Sequence, residues 1–218
     1  MQLCGHSVSP YVERILIVLE MKGIADAVVL SDVPGGFKSD EHFTYHPLGK
    51  IPFLLLDDGQ SLTESQVIVE YLDAVLDGRK VIPTDPFAAA TASQISRVLD
   101  IYYTNAIGPM GRVAFGGSAT DDELAKARDI DIPAALGYLE KLINGSEYAV
   151  GDSWSHADAA LMTHFYWFER LMPEFGVNGF GGYPNLSAYW NHVTGTDLYK
   201  DSKARADASF DKFFGGKP

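Results

Sequence analysis

Apolar positions along this chain follow two periods, and the change between them divides it. Residues 1–4 (MQLC) read as a short apolar strand, and residues 5–10 turn into a helix. Its Val12, Ile15, Leu16 and Leu19 fall at helical spacing until Gly23 ends it. Residues 25–30 predict a second strand, and residues 31–46 a polar, glycine-containing connection with one helical turn over 38–45. An apolar run at 51–56, an Asp57-Asp58-Gly59-Gln60 turn and the returning Ser61-Leu62 form a β-hairpin, because Asp-Gly accepts the backbone of a tight reversal. Residues 66–76 are an amphipathic helix with Ile68, Tyr71, Leu72 and Val75 as its buried stripe. This order implies a four-stranded mixed sheet packed by helices.

From Asp77-Gly78 to Pro86 the pattern lapses into a proline-rich linker, and beyond it the period is helical throughout. Residues 88–106 predict one long helix with Ile95, Val98, Leu99 and Tyr102 on one face, ended or kinked by Gly108-Pro109. Residues 121–143 predict a second, kinked at Pro133, and a third opens at Ser155 with Leu161, Phe165, Phe168 and Met172 as its stripe. Residues 186–193 and 198–214 predict two more. The fold class is therefore α/β plus all-α: a small α/β domain over 1–78, a linker over 79–85 and an all-helical domain over 86–218.

Composition narrows the function classes. The 218 residues are 46% apolar, enough for a sizeable core. Seventeen Lys and Arg against 29 Asp and Glu leave a net charge of −12, which argues against a nucleic-acid partner. No apolar window reaches the ~18 residues of a membrane span, and the first residues lack a signal-peptide profile. With one cysteine, Cys4, an intramolecular disulfide is excluded, and a reducing, cytoplasmic location is expected.

Two features exceed what a hairpin requires. Pro52 heads a buried-looking strand, where proline survives only at an end or edge. Thr63-Glu64-Ser65 then breaks the returning strand and opens a helix, placing a hydroxyl and fresh N–H groups where an anion binds well. Together they suggest capture of a peptide-like ligand. His42 and His46, four apart, lack a third ligand at metal-binding spacing, so solvated histidines and no metal are expected.

Four stretches resemble the cytosolic glutathione S-transferase family, which pairs a thioredoxin-like N-terminal domain with an all-α C-terminal domain. Ser9-Pro10-Tyr11 with Glu13-Arg14-Ile15 resembles the serine-type first helix of the tau and phi classes. Lys50-Ile51-Pro52 resembles the cis-proline loop, and Glu64-Ser65 with Ile68 and Tyr71-Leu72 the glutathione-binding acid-serine pair and third helix. Gly151-Asp152 with Ser155-x-x-Asp158 resembles the capping box of the sixth helix. The resemblance implies glutathione as co-substrate, a cis Ile51–Pro52 bond and a homodimer. It also implies a ligand set. Ile51 and Pro52 hold the tripeptide backbone, Ser65 the γ-glutamyl carboxylate and Glu64 the ammonium, with Lys50 and Lys38 on the glycyl carboxylate.

Within that scheme the thiol falls at the start of the first helix. Ser9, an N-cap followed by proline at N1, is the catalytic candidate, with Ser7 as its rival. A thiol titrates near ~8.5, and lowering it by about two pH units takes about 2.7 kcal/mol of preferential thiolate stabilisation. A hydroxyl hydrogen bond beside a helix terminus is of that order. Serine rather than cysteine here argues against thiol exchange, and Cys4 reads as a small buried hydrophobe. Ser155 and Asp158 read as structural caps.

The second substrate is expected against the first long C-domain helix, on Tyr11, Tyr103, Ile107 and Met110, with Tyr102 as core. A C-terminal cluster of Phe210, Phe213 and Phe214 lids the pocket or docks the tail. An apolar pocket implies small hydrophobic electrophiles and conjugation as the reaction. The alternatives are a specialised glutathione-dependent isomerase, ether-cleaving enzyme or dehalogenase, and a non-enzymatic carrier or assembly module.

Overall fold

The structure, a computed structural model, describes residues 1–215. The chain forms two compact units, Met1–Ile82 joined by the terminal helix from Asp197 onward, and Pro83–Thr196.

In the first unit, β1 (Gln2–Cys4), β2 (Val29–Ser31), β3 (Phe53–Leu55) and β4 (Ser61–Thr63) form one sheet in the order β2-β1-β3-β4. β1 pairs parallel with β2 and antiparallel with β3, and β3 pairs antiparallel with β4. The helices are α1 (Pro10–Met21), α2 (Asp40–Tyr45) and α3 (Ser65–Val75). Cys4 and Phe53 lie opposite one another on one face, in a cluster with Val33 that Tyr45, Ile51 and Leu55 cover. Leu3 and Leu54 point to the other face and are fully buried; α3 packs on β3, and α1 on α3.

The second strand starts later than its apolar pattern suggests. A single 3-10 turn at Ala25–Ala27 precedes β2, whose Val29 and Leu30 are 61% and 41% exposed because it is the sheet edge. In α3, Ile68 and Leu72 are buried as expected, but Val75 is exposed and Val69 and Asp73 take the inward places. Asp73 is tolerated inside because it is matched: Lys22 Nζ lies 2.9 Å from Oδ1 and the Val81 N–H donates to it at 3.0 Å.

The terminal helix α10 (Asp197–Phe214), grouped by sequence with the helical domain, packs on α1. Arg205 donates to Glu13 Oε1 through Nη2 at 2.7 Å and Nε at 3.1 Å, and also pairs with Glu20. Phe213 rests on His6 with ring centroids 4.5 Å apart, so this part of the aromatic cluster docks the tail.

The second unit contains α4 (Pro86–Arg97), α5 (Thr104–Ala114), α6 (Asp121–Lys126), α7 (Ile132–Leu142), α8 (His156–Leu171) and α9 (Pro184–Gly195); α4 and α5 pack on α8, in which every residue from His156 to Phe168 is buried. A π-helical stretch, Val98–Tyr103, joins α4 to α5, and another, Ala127–Asp131, joins α6 to α7. Of the two outcomes expected at Gly108-Pro109, an end is excluded, because Pro109 sits inside α5. Each π turn also inserts about one residue, rotating the positions after it by roughly 100°. Tyr102 is thereby turned outward, 57% exposed, and Tyr103 inward, 0% exposed. The second π stretch ends just before Pro133, where the missing N–H needs the room.

The capping box at the start of α8 is structural. Asp158 accepts from the Ser155 N–H and hydroxyl at 2.8 and 2.9 Å, the Ala149 N–H at 2.7 Å and the Tyr189 hydroxyl at 3.0 Å.

The contact between α1 and α10 predicts a pH effect. Burial pushes the Glu13 carboxyl up to about 7 from an ordinary 4.5, against the pull of Arg205. The folded value lies above the unfolded one, so ionising Glu13 costs stability; that cost is absent below about pH 4.5 and complete above about pH 7. Compared with Glu13→Gln in thermal melts, the wild type should gain stability as pH falls through that window, on the order of 3 kcal/mol. Parallel curves would mean that Glu13 stays ionised throughout.

Candidate functional site

Three loops of the first unit leave the same end of the sheet. The first, from Gly5 to Ser9, leads into α1. Ser9 is the N-cap with Pro10 at N1, and its carbonyl accepts from the N–H groups of Val12 and Glu13 at 3.1 and 3.0 Å. Its side chain makes no capping hydrogen bond, although serine is a favoured cap for that bond. The Ser7 hydroxyl is engaged instead with the Arg205 carbonyl at 3.4 Å, and the Val8 N–H donates to Ser209 Oγ at 3.1 Å.

The second loop carries Lys50, Ile51 and Pro52 into β3. The Ile51–Pro52 bond is cis. Ile51 packs half-buried on the Cys4–Phe53 cluster, and its N–H and carbonyl enter no hydrogen bond among the described residues. Gly5 brings the first two loops together: its φ is +147°, and a Cβ there would lie 2.7 Å from Val12 Cγ2 and 3.3 Å from Ile51 Cβ. Cys4 beside it is fully buried, and burial pushes its thiol up to about 11.

The third loop is the N-terminus of α3. Glu64 is its N-cap, exposed and left-handed at φ 68°, a conformation that costs a non-glycine residue about 1–3 kcal/mol and clusters at functional sites. Ser65, 6% exposed, follows as the first helical residue. Its hydroxyl accepts from Arg14 Nη1 at 3.3 Å, and Arg14 is fully buried. The first-turn N–H groups of α3 have no partner within the helix and point toward its N-terminal side.

Arg14 and His42 are the residues that sequence reasoning misses. The signal for Arg14 is a charged pair, Glu13-Arg14, inside the apolar run of α1. The expectation of solvated histidines is overturned: His42 is 0% and His46 4% exposed. Desolvation holds the His46 imidazole below its ordinary value, and its Nδ1 accepts from the Leu48 N–H at 3.3 Å in the turn after Pro47. His42 bonds the Lys38 N–H through Nδ1 at 3.0 Å and the Lys50 carbonyl through Nε2 at 2.9 Å. The side chains of Lys38 and Lys50 are exposed.

The side chains expected to receive a second substrate differ in exposure. Tyr11 is half-exposed, with the Arg14 guanidinium 5.5 Å from its ring centroid. In the second unit Ile107 is half-buried, but Tyr103 and Met110 are fully buried and present no surface. Tyr103 packs edge-on to His164 and Phe165, and burial holds its phenol well above the ordinary value. Tyr102 opens instead, with Tyr138, Asn105 and Asp131, onto a cleft of about 420 Å³ within the second unit. The first unit has a cleft of about 440 Å³ behind the Ser9 loop, between His6, Ser7, Asp32, Lys212 and Phe213.

Comparison with known proteins places the chain in a family. Residues 8–75 match the model of the glutathione S-transferase N-terminal domain, and residues 98–197 that of the C-terminal domain. A probable glutathione S-transferase, GSTU6, of Oryza sativa subsp. japonica is 31% identical over 183 residues, 78% of this chain and 73% of that protein. The tau class glutathione S-transferase of mango, Mangifera indica, superposes with a TM-score of 0.77 at 24% identity, covering 97% of this chain and 96% of that one. A glutathione S-transferase from Methylobacillus flagellatus, solved with GSH bound, gives 0.74 at 25% identity over 92% of this chain and 98% of that one. The chain belongs to the glutathione S-transferase family.

Gly5 is a sharp test of how closely the loops must approach. Gly5→Ala should lower stability by about 1–3 kcal/mol in urea melts, from strained φ and the clash with Val12. An unchanged midpoint would mean that the Ser9 and Ile51 loops separate without cost.

Proposed function

We propose that this protein is a glutathione transferase that holds the tripeptide on its first unit, activates the thiol at Ser9 and directs it onto small hydrophobic electrophiles. The observation that carries the proposal is the Ser9 hydroxyl, at the start of α1 and unused by its own helix. It can donate to a thiolate there, while the helix terminus adds positive potential.

The remaining groups match the ligand piece by piece. The unpartnered N–H and carbonyl of Ile51 are free to pair with the tripeptide backbone in the manner of an added strand. Ser65 and the first-turn N–H groups of α3 suit the γ-glutamyl carboxylate, with the buried Arg14 charge behind Ser65 reinforcing the helix dipole. The exposed Glu64 carboxylate suits the ammonium. Lys38 and Lys50 suit the glycyl carboxylate in a protein of net charge −12. Tyr11, half-exposed close after Ser9, is the side chain best placed beside the reacting sulfur. The resemblance to the family supports a cytoplasmic homodimer, for which sedimentation should give twice the chain mass of 23.8 kDa.

In this mechanism glutathione's sulfur is the nucleophile. Its proton leaves to solvent, Ser9 stabilises the thiolate, and the thiolate attacks the electrophilic carbon and displaces its leaving group. With a chloro-nitroaromatic as electrophile, Ser9→Ala should lower kcat by roughly 10²-fold or more while the affinity for glutathione changes little. The bound thiol should then titrate near its free value. Full activity in Ser9→Ala with loss in Ser7→Ala would move the role to Ser7.

A further inference from the structure

A single buried imidazole joins the segments that carry Lys38 and Lys50. His42 stands in the first turn of α2, where Ser39 Oγ accepts from its N–H at 3.1 Å. Its Nδ1 lies 3.0 Å from the backbone nitrogen of Lys38, which can only donate, so Nδ1 must offer a lone pair. Its Nε2 lies 2.9 Å from the Lys50 carbonyl, which can only accept, so Nε2 must carry the proton. Both neighbours therefore demand the same neutral tautomer.

The ring has little freedom to leave this position. It is fully buried and stacks on Phe53, with centroids 5.5 Å apart and planes 29° apart, while Phe37 closes on it at 5.5 Å. Lys38 sits at φ 63°, one of two non-glycine residues in the left-handed region among the described residues, the other being Glu64. A left-handed lysine is unfavourable by itself, and here its N–H is held by the imidazole. At the other end the same ring fixes the Lys50 carbonyl and hence the start of the Lys50 side chain.

We propose that His42 is the positioning residue for recognition of the ligand's glycyl end, bracing Lys38 and Lys50 so that both ammonium groups converge on one carboxylate. The inference rests on the assignment of glutathione and of these lysines above. His42 touches no ligand in this scheme. It acts by holding two flexible cations on backbones whose spacing is set by one rigid ring, so less freedom is lost when the carboxylate arrives.

The test compares glutathione with its glycyl ethyl ester, which keeps the tripeptide backbone and removes the terminal charge. Affinities are measured by calorimetry for the wild type, His42→Asn, His42→Gln and the Lys38→Ala/Lys50→Ala double variant, with thermal melts alongside. Asparagine approximates the Nδ1 position and can still accept from Lys38; glutamine approximates Nε2 and can still donate to Lys50. The wild type should prefer glutathione over the ester by roughly tenfold or more, and the double variant should lose that preference. Each His42 variant should lose most of it while binding the ester within about twofold of wild type. If either variant fails to fold, the other carries the comparison.

A preserved preference in a folded His42 variant, with the preference lost in the double variant, overturns the role of His42 alone. Equal weakening of both ligands overturns it too, because His42 would then be supporting the site generally. A double variant that keeps the preference overturns the lysine assignment, and His42's role with it. A wild type that binds neither ligand overturns the glutathione reading itself.

Discussion

The register between β1 and β3 decides where the site residues of the first unit arrive. Cys4 lies opposite Phe53, and Phe53 opposite Thr63. Gly5 follows Cys4, Pro52 precedes Phe53 and Glu64 follows Thr63, so the three loops of the candidate site leave one end of one sheet. A slip of one residue in this pairing would exchange the faces of one strand, setting Leu54 on the side of the Cys4 cluster and Phe53 on the side of the helices. The two apolar faces thus hold the chemistry in register, since neither can be traded for the other without repacking buried side chains.

Around that sheet the unit buries charged side chains that reach other elements. Lys22 meets Asp73 of α3 and Glu13 meets Arg205 of α10, while Arg14 donates to the neutral Ser65 hydroxyl of α3. An unmatched buried charge would cost several kcal/mol, so these pairs specify which helices lie beside α1. Lys22 with Asp73 also captures the segment leading out of α3, through the Val81 N–H. The loop order along the sheet and the helix order around it are therefore set by different forces, hydrophobic register for one and charge matching for the other.

Much of this is legible in the sequence, and the failures have physical causes. Strands, hairpin and helices follow from period and turn residues, because those signals are local. Tyr102 and Tyr103 exchange places because a π stretch inserts a residue into the helical count, and the simple 3.6 period cannot anticipate it. The terminal helix packs with the first unit through Arg205, more than 180 positions from its partners on α1, a distance at which local pattern is silent. His42 reads as solvated because a polar residue in a polar stretch gives no sign of burial. Only the fold shows that Lys38 and Lys50, at four and eight residues from it, turn toward its two nitrogens.

The proposed role of Ser9 rests on a helix cap whose side chain is unused. Ser39, Asp85 and Thr120, which cap other helices, all use their side chains: Ser39 accepts from the His42 N–H, Asp85 from Ala88 and Thr120 from Glu123. Such a bond contributes about 1 kcal/mol. Ser9 forgoes it, although its backbone already adopts the extended cap conformation and Pro10 fixes the start of the helix. A hydroxyl kept out of its own helix would, under the proposed function, remain available to the thiol of glutathione. Ser7, two residues earlier, lacks that freedom because its hydroxyl is spent on the Arg205 carbonyl. Proline at N1 does not explain why Ser9 leaves its cap bond unmade, because Asp85 is followed by Pro86 and still accepts from the Ala88 N–H.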